Sequence, residues 1–356
     1  MFTFMDFCAW IWWGRLGLEQ AWFQCVWFSE IDAKAEKTYR LFFWNEEKNY
    51  WDLMKIKTEE LPDFDLLIAW FPCQTFSVIW QRKWFEDPRW QVIYWISKIL
   101  SEKKIKYFIL ENVKGLINHE WGDTIKEIVK LLDSIWYHVK WKVLNTMDYW
   151  LPHSRERVYF VWVRKDLWPF PKKFDFPKKI EKKRNISDYL CEKDDKYIIN
   201  FDKSKMETLN RYLKNKYNNW KITIDDLLNK KWCVIDTRQS DIRFYDKFSP
   251  TLRTWRHGLI YSRDWSLRSL SGYESLLFQW FPKKLAEKAK KEISDMDLLA
   301  QTGNAMSVNT ISEIWTQFLD FINSNNPNGF TSRFSSTLIS NSKTLIPEWI
   351  GCYREI

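Results

Sequence analysis

Four short stretches of this chain hold residues that can do chemistry, and each falls where an apolar run gives way to a loop. Cys73 sits in Ala69-Trp70-Phe71-Pro72-Cys73-Gln74-Thr75-Phe76-Ser77. A lone cysteine is most often a small buried hydrophobe. Here it follows the apolar run Phe64–Ala69 on a loop stiffened by Pro72, where partial exposure and nearby backbone donors favour the thiolate. Glu111 closes the next run, in Leu110-Glu111-Asn112-Val113, and is placed to act as a general acid on the same rim. Arg155 and Arg157, in Pro152-His153-Ser154-Arg155-Glu156-Arg157-Val158, lead into another run; strand alternation predicts one shared face, suited to an anionic or carbonyl oxygen. An exposed charged strand edge would carry the same two arginines. The fourth stretch is Asp6-Phe7-Cys8-Ala9-Trp10-Ile11-Trp12-Trp13-Gly14, at the first strand-to-helix junction. Glu30, at the end of the second strand, can accept from both hydroxyls of a ribose, and Asp52, after the next, from an adenine amine. Taken singly, either acid reads as a solvated loop residue.

The elements needed to position these groups are visible as pattern. Candidate strands are Phe2–Phe7, Cys25–Ser29, Phe64–Ala69, Tyr107–Leu110, Lys140–Leu144 and Val158–Val163. Helical patterns lie between them at Lys34–Phe43, Val92–Lys103 and Thr124–Ser134, the last with Ile125, Ile128, Val129 and Leu132 on one face. Alternation of this kind predicts a parallel, doubly wound α/β sheet with ligands at the carboxyl ends of its strands. The texture changes after Asp166: residues 168–184 are broken by prolines and lysine pairs, 185–230 are rich in Lys, Asn and Asp, and 231–282 read as irregular β. A last amphipathic helix is expected at about Val308–Ile322, followed by an Asn/Ser/Thr-rich tail from Ser324.

Composition narrows the class. The chain has 356 residues, 46% of them hydrophobic, and a net charge of +9, which fits an anionic partner without identifying one. No apolar run of about 18 residues occurs, and the N-terminus has neither a basic region nor a cleavage site, so a cytoplasmic protein is expected. The six cysteines form no C-x-x-C pair and stand far from the four histidines, so free thiols and no metal site are expected.

One feature of the composition is abnormal. There are 25 Trp and only 9 Gly, against an expectation of about 25 Gly at an average frequency of ~7%. The tryptophans also occupy places where glycine is physically demanded, as in Trp10-Ile11-Trp12-Trp13, Trp51-Asp52, Trp70-Phe71-Pro72 and Gln279-Trp280-Phe281-Pro282. Tight turns and close backbone approach need a residue without Cβ, and Trp is the worst substitute. Most of these tryptophans are therefore expected to be UGA codons that the source organism reads as glycine, with Trp95, Trp168 and Trp349 among the genuine ones.

Together and in this order, the four stretches resemble the DNA cytosine-5 methyltransferase family, with its cofactor turn, Pro-Cys-Gln, Glu-Asn-Val and Gln-x-Arg-x-Arg motifs. The resemblance continues through Arg268-Ser269-Leu270, Glu274, Gln279-Trp280-Phe281-Pro282 and Gln301-Thr302-Gly303-Asn304-Ala305, covering about residues 1–164 and 249–316. It departs at His153, where the family usually has Gln, at Cys8, where an aromatic often packs on the adenine, and at the tryptophans. It implies a Rossmann-like S-adenosylmethionine-dependent catalytic domain at 1–180, completed by 296–323, a smaller irregular β-rich target-recognition domain at 181–295, and a polar tail at 324–356.

The resemblance also implies roles. Cys73 adds to carbon 6 of a flipped cytosine, Glu111 stabilises charge at ring nitrogen 3, Arg157 contacts the base's carbonyl oxygen and Arg155 braces the site. Asp6, Cys8, Ala9, Trp10, Ile11, Trp12, Glu30, Ile31, Asp52, Leu53, Pro72, Asn304 and Ala305 would line the cofactor site. Ser77, Gln81, Arg82 and Lys83, on a loop resembling the family's mobile catalytic loop, and Arg238, Arg243, Arg253 and Arg256 would contact duplex DNA. A monomer in a restriction-modification system is implied, its activity independent of any cognate endonuclease. Two other functions fit the residues: a tRNA cytosine-5 methyltransferase of the same family, or a catalytically inactive DNA-binding module if the tryptophans are real and fill the cofactor site.

Overall fold

The computed structural model describes residues 2–11, 13–20, 23–43, 47–71, 91–167, 174–181, 184–218, 221–238, 241–254 and 258–325. In chain order the first elements are β1 (Phe2–Phe7), α1 (Trp13–Glu19), β2 (Phe23–Ser29), α2 (Ala33–Phe42), β3 (Leu66–Trp70) and α3 (Gln91–Lys103). There follow β4 (Tyr107–Val113), α4 (Asp123–Ser134), β5 (Tyr137–Asn145) and β6 (Glu156–Arg164). Next come α5 (Lys203–Leu213), α6 (Ile224–Asn229), β7 (Val234–Asp236), β8 (Arg243–Tyr245), β9 (Leu259–Arg263) and β10 (Ser266–Ser269). The last helices are α7 (Gly272–Leu277), α8 (Lys283–Glu292), α9 (Asp295–Asn304) and α10 (Val308–Asn325).

Contacts divide the described residues into two compact units, one drawn from 2–145, 156–179 and 306–325 and the other from 146–155 and 180–305. The first unit holds a six-stranded sheet in the order β2-β1-β3-β4-β6-β5. Strands β3 and β4 read as nearly unbroken apolar runs because both their faces are covered, as in central parallel strands. The chain runs from β1 to β2 on one side, then returns to place β3 on the other, so the reversal falls between β1 and β3. In such sheets the crevice outside the strands' carboxyl ends at this reversal is where ligands bind.

The sheet is not wholly parallel, as the alternating pattern led us to expect. Strand β6 runs antiparallel to both β4 and β5. The connection from β5 to β6 is residues 146–155, which contain no crossover helix of the kind that parallel neighbours require.

Helix α4 buries Ile125, Ile128 and Leu132, the apolar face its spacing predicts. Asp32 caps α2, its carboxylate accepting the amide hydrogens of Lys34 at 2.9 Å and Ala35 at 2.8 Å. Helix α10 lies against α1, where a Cβ on Gly17 would come within 2.6 Å of Ile311. Its Trp315 and Phe318 join Phe23, Tyr107 and Phe174 in an aromatic cluster with ring centroids 4.8–5.5 Å apart for the closest pairs.

The second unit holds an antiparallel sheet in the order β10-β9-β7-β8 around Ile199, Leu209, Leu213, Leu227, Ile235 and Leu267. Its extent differs from the 181–295 expected. Residues 146–155 join it because Ser154 and Ser249 are tied by backbone hydrogen bonds, Ser154 N to Ser249 O at 2.8 Å and Ser249 N to Pro152 O at 2.7 Å. Residues 296–305 join it because α9 packs on α7, where a Cβ on Gly272 would meet Leu298 at 2.6 Å. The tail beyond 325 lies outside the described residues. Among the described residues, no helix is long and apolar enough to cross a membrane.

Candidate active site

The first unit gathers its chemistry on the rim formed by the ends of β1, β2, β3 and β4. Asp6, next to last in β1, is fully buried. Burial holds its carboxyl well above the usual range, partly offset by the charge of Arg15. The chain then turns left-handed at Cys8 (φ 51°) and Trp10 (φ 52°) before entering α1. Trp10 donates its amide hydrogen to Glu30 Oε2 at 2.6 Å, and Asp32 donates to Glu30 Oε1 at 2.7 Å. Glu30 is 4% exposed, and burial raises its carboxyl despite these two donors. The neighbouring Ile31, by contrast, is 66% exposed, an apolar surface beside a fixed carboxylate.

Asn49 braces the same corner. Its Oδ1 accepts from the amides of Glu30 at 3.0 Å and Trp51 at 2.9 Å, and its Nδ2 donates to Glu30 O at 3.0 Å. Asp52, half-buried, accepts the amide hydrogen of Met54 at 3.0 Å and pairs with Lys55 at 3.5 Å, while Leu53 is buried. Ala9 and Ile11 are buried in the turn.

Strands β3 and β4 carry the second part of the rim. Trp70 pairs in register with Glu111. Glu111 is fully buried and forms an ion pair with Arg157 on β6, Nε to Oε1 at 3.1 Å. Asn112, also fully buried, donates from Nδ2 to the carbonyl of Phe71 at 2.8 Å. Sequence reasoning gave Asn112 no role, although the Glu-Asn-Val stretch contained it. Trp12, Pro72, Cys73, Ser77, Gln81, Arg82, Lys83 and Arg256 lie outside the described residues.

The cysteines that are described are poor nucleophiles. Burial raises the Cys8 thiol, with Glu30 and Asp6 adding to the effect, and it raises Cys25 well above the ordinary range. Cys191 is pushed up to about 11 and Cys233 to about 12, burial leading in each case.

Arg155 belongs to the second unit and immediately precedes β6, which starts at Glu156. Its guanidinium, 1% exposed, donates to the carbonyl of Gly303 at 3.1 Å. Gln279 donates to the carbonyl of Thr302 at 3.1 Å, and Asn304 is hydrogen-bonded to Thr254 through their side chains. A Cβ on Gly303 would collide with the backbone of Arg253 and Thr254, so only glycine fits there. Ala305 is buried at the end of α9. His153 is buried, with Leu252 N 3.4 Å from its Nε2, and so works within the fold.

Arg238 was expected at the nucleic acid, but its guanidinium is turned inward. It is 8% exposed, donates to both oxygens of Asp236 at 2.8 and 2.9 Å, and donates to the carbonyl of Thr251 at 2.8 Å. This buried pair forms one wall of a cavity of about 210 Å³ that also exposes Arg243, Tyr245, Phe248 and Arg253. Arg243 is paired with Asp241 at 3.0 Å, and Arg253 is exposed. Tyr245 and Phe248 went unnoticed in the sequence because irregular β leaves no periodic signal.

A doubly wound sheet with an acid at the end of β2 and a left-handed turn after β1 defines the Rossmann-like α/β class. A sequence profile described as C-5 cytosine-specific DNA methylase matches residues 2–320, and the chain belongs to that family. It is 32% identical over 324 residues to "Type II methyltransferase M.DsaV" of Dactylococcopsis salina, covering 90% of this chain and 86% of that protein. It is likewise 32% identical over 309 residues to "Type II methyltransferase M.Bsp6I" of a Bacillus species, covering 84% of this chain and 92% of the other. Among solved structures, a mutant of Spodoptera frugiperda DNMT2 aligns with a TM-score of 0.66 at 16% identity, covering 90% of this chain and all of that one, a likeness of fold.

Proposed function

We propose that this chain methylates carbon 5 of a flipped cytosine in a specific duplex DNA site, with S-adenosylmethionine as methyl donor and Cys73 as nucleophile. The observation that carries the reading is the Glu111–Arg157 ion pair next to Asn112, whose amide holds the carbonyl of Phe71 two residues before Cys73. The family membership supplies the reaction class.

The rim fits the donor. Glu30 presents a fixed carboxylate, Ile31 an exposed apolar face, and the Cys8–Ile11 turn brings backbone close by. Asp52 and Leu53 bound the same corner; Asp6, Trp12, Pro72, Asn304 and Ala305 are assigned to the cofactor by resemblance. When bound, S-adenosylmethionine supplies an electrophilic methyl group on sulfonium.

The protein's own task is to make carbon 5 of the base nucleophilic. The Cys73 thiolate adds at carbon 6, breaking the aromatic system and turning the ring into an enamine. Negative charge moves toward nitrogen 3, and Glu111, sharing a proton there, stabilises it in a buried setting where such a contact is strong. Arg157 holds Glu111 in place and contacts the base's carbonyl oxygen. After methylation, loss of the proton from carbon 5 expels Cys73. Among the described cysteines the thiols are held protonated by burial, which favours Cys73 for the role. Reaching the base requires its extrusion from the duplex, at a cost of a few kcal/mol.

Ser77, Gln81, Arg82, Lys83 and Arg256 contact the DNA in this proposal, together with the exposed Arg243 and Arg253; Arg238 contributes by shaping the wall of their cavity. Duplex affinity should fall at least about tenfold between 50 and 200 mM salt, as counterion release requires. An Arg253→Ala variant should flatten the slope of log K against log salt by roughly one unit. Binding that ignores salt would remove the proposed interface. The enzyme acts as a monomer, serves a restriction-modification system and needs no endonuclease for its own activity.

Asn112→Ala should lower kcat by roughly 10²-fold with little change in either KM, because it frees the backbone ahead of the nucleophile without removing a binding contact. A variant with parental kcat would show that this tether does not position Cys73. The decisive test of the whole reading is bisulfite sequencing of DNA from cells expressing the gene with glycine restored at its UGA positions. Protected cytosines at one recurrent sequence are expected; uniformly converted DNA would end the proposal.

A further inference from the structure

Twelve non-glycine residues among those described have a positive φ, and eight of them are tryptophan. Tryptophan is 25 of 356 residues, so about one residue in fourteen fills two thirds of the left-handed places. Steric contact of Cβ with the backbone disfavours this region for every L-residue except glycine, and Asn or Asp tolerate it best of the others. For a bulky side chain it is an outlier. Eight outliers of one residue type in one chain need a common cause.

The local geometry at several of them independently specifies glycine. Asp264 (φ 48°) and Trp265 (φ 59°) are the two central residues of the β9–β10 hairpin, so both are left-handed, as in a type I′ turn, for which Asp-Gly is a preferred pair. Trp136 (φ 75°) is the residue after the C-cap of α4, the position at which a left-handed glycine most often ends a helix. Trp121 (φ 54°) stands between Glu120 and Gly122 in three successive left-handed residues.

At three of these positions the ring is largely in water. Trp121 is 97% exposed, Trp265 71% and Trp136 61%, so large apolar rings stand in water. Arg184 lies 4.7 Å over the ring of Trp280 and Arg263 5.4 Å over that of Trp232, but surface arginines adopt such contacts wherever a ring is offered. Trp95 is the contrast: it lies within α3, packs against the main core, and holds the Lys98 ammonium 4.5 Å over its ring.

We propose that positions 10, 51, 121, 136, 150, 232, 265 and 280 are glycine in the working enzyme, all encoded by UGA read as glycine, whereas Trp95 is a true tryptophan encoded by UGG. Composition and turn context point to recoding for most of the 25, with 10, 51 and 280 among them; the backbone adds 121, 136, 150, 232 and 265. Two of them belong to the candidate cofactor rim. Position 10 is held by Glu30 through its amide, and position 51 accepts from the Ser29 hydroxyl at 2.8 Å through its carbonyl. Both bonds are made by backbone atoms, which glycine retains, so 10 and 51 are positioning residues.

The test reads composition and is independent of the reaction assigned to the chain. The gene is sequenced, and the protein purified from its own cells is analysed by peptide mass spectrometry. UGA codons at the eight positions with glycine in the peptides, and UGG with tryptophan at position 95, are the expected result. UGG at positions 10, 136 and 265 would overturn the proposal, as would UGA codons whose peptides carry tryptophan. Glycine at position 95 would overturn the backbone criterion used to choose the eight.

Discussion

A Cys73→Ser enzyme loses methyl transfer by at least about 10⁴-fold while its affinity for duplex DNA stays within a few-fold of the parent's. The size follows from the chemistry. A serine hydroxyl is protonated at neutral pH and adds poorly to an unactivated pyrimidine, so the covalent step that converts the ring to an enamine disappears. Removing a nucleophile from a site that otherwise remains intact commonly costs about 10⁴- to 10⁶-fold. Binding survives because phosphate contacts dominate duplex affinity, and a thiol carries no positive charge to neutralise a phosphate. Initial rates with radiolabelled donor, set beside a gel-shift titration, separate lost chemistry from lost folding. Transfer above one hundredth of the parental rate would show that the nucleophile lies elsewhere. The described alternatives are weak: burial raises the thiols of half-buried Cys8 and buried Cys25, and pushes those of Cys191 and Cys233 to about 11 and about 12.

Much of the rim was legible because chemistry-bearing residues cluster where apolar runs stop. Asp6, Glu30 and Glu111 are each expected at a strand end: Glu30 directly follows β2 and Asp6 is next to last in β1, whereas β4 runs two residues past Glu111 to Val113. What was not legible depends on partners far along the chain. Arg155 and Arg157 are two residues apart, yet Arg157 pairs with Glu111 and Arg155 donates to Gly303, 148 residues away. No periodicity carries that information. Strand direction is equally silent, since apolar spacing is the same for β6 whether it runs with β4 or against it. Arg238 shows a third limit. A guanidinium reads as surface charge until Asp236 and the Thr251 carbonyl occupy its fork. Helices α6 and α7 lay in stretches read as polar or irregular, although Thr223 with Asp226 and Ser271 with Glu274 form capping boxes that mark both starts.

Restoring glycine at the eight left-handed tryptophans should raise the melting temperature by roughly 10 °C and tighten S-adenosylmethionine binding by at least about tenfold. Each substitution removes a Cβ from a disfavoured backbone region, against which glycine's larger unfolded-state entropy must be set. A net gain of only about 0.5 kcal/mol per position, taken as additive over the eight, reaches about 4 kcal/mol. That is a large fraction of the 5–15 kcal/mol that holds a typical domain together. For a unit of this size it corresponds to the shift stated, at roughly 2–4 °C per kcal/mol. The binding gain has a different origin. Positions 10 and 51 adjoin Glu30 and Asp52, and replacing an indole by hydrogen there would widen the corner proposed for the nucleoside. Calorimetry on the two coded forms reads both quantities. A protein with Trp10→Gly and Trp51→Gly alone should recover most of the binding and little of the stability, while the other six changes should do the reverse. If binding is equal in all forms, the rim at Glu30 is not the donor's site, and the chain with its tryptophans in place is the functional one.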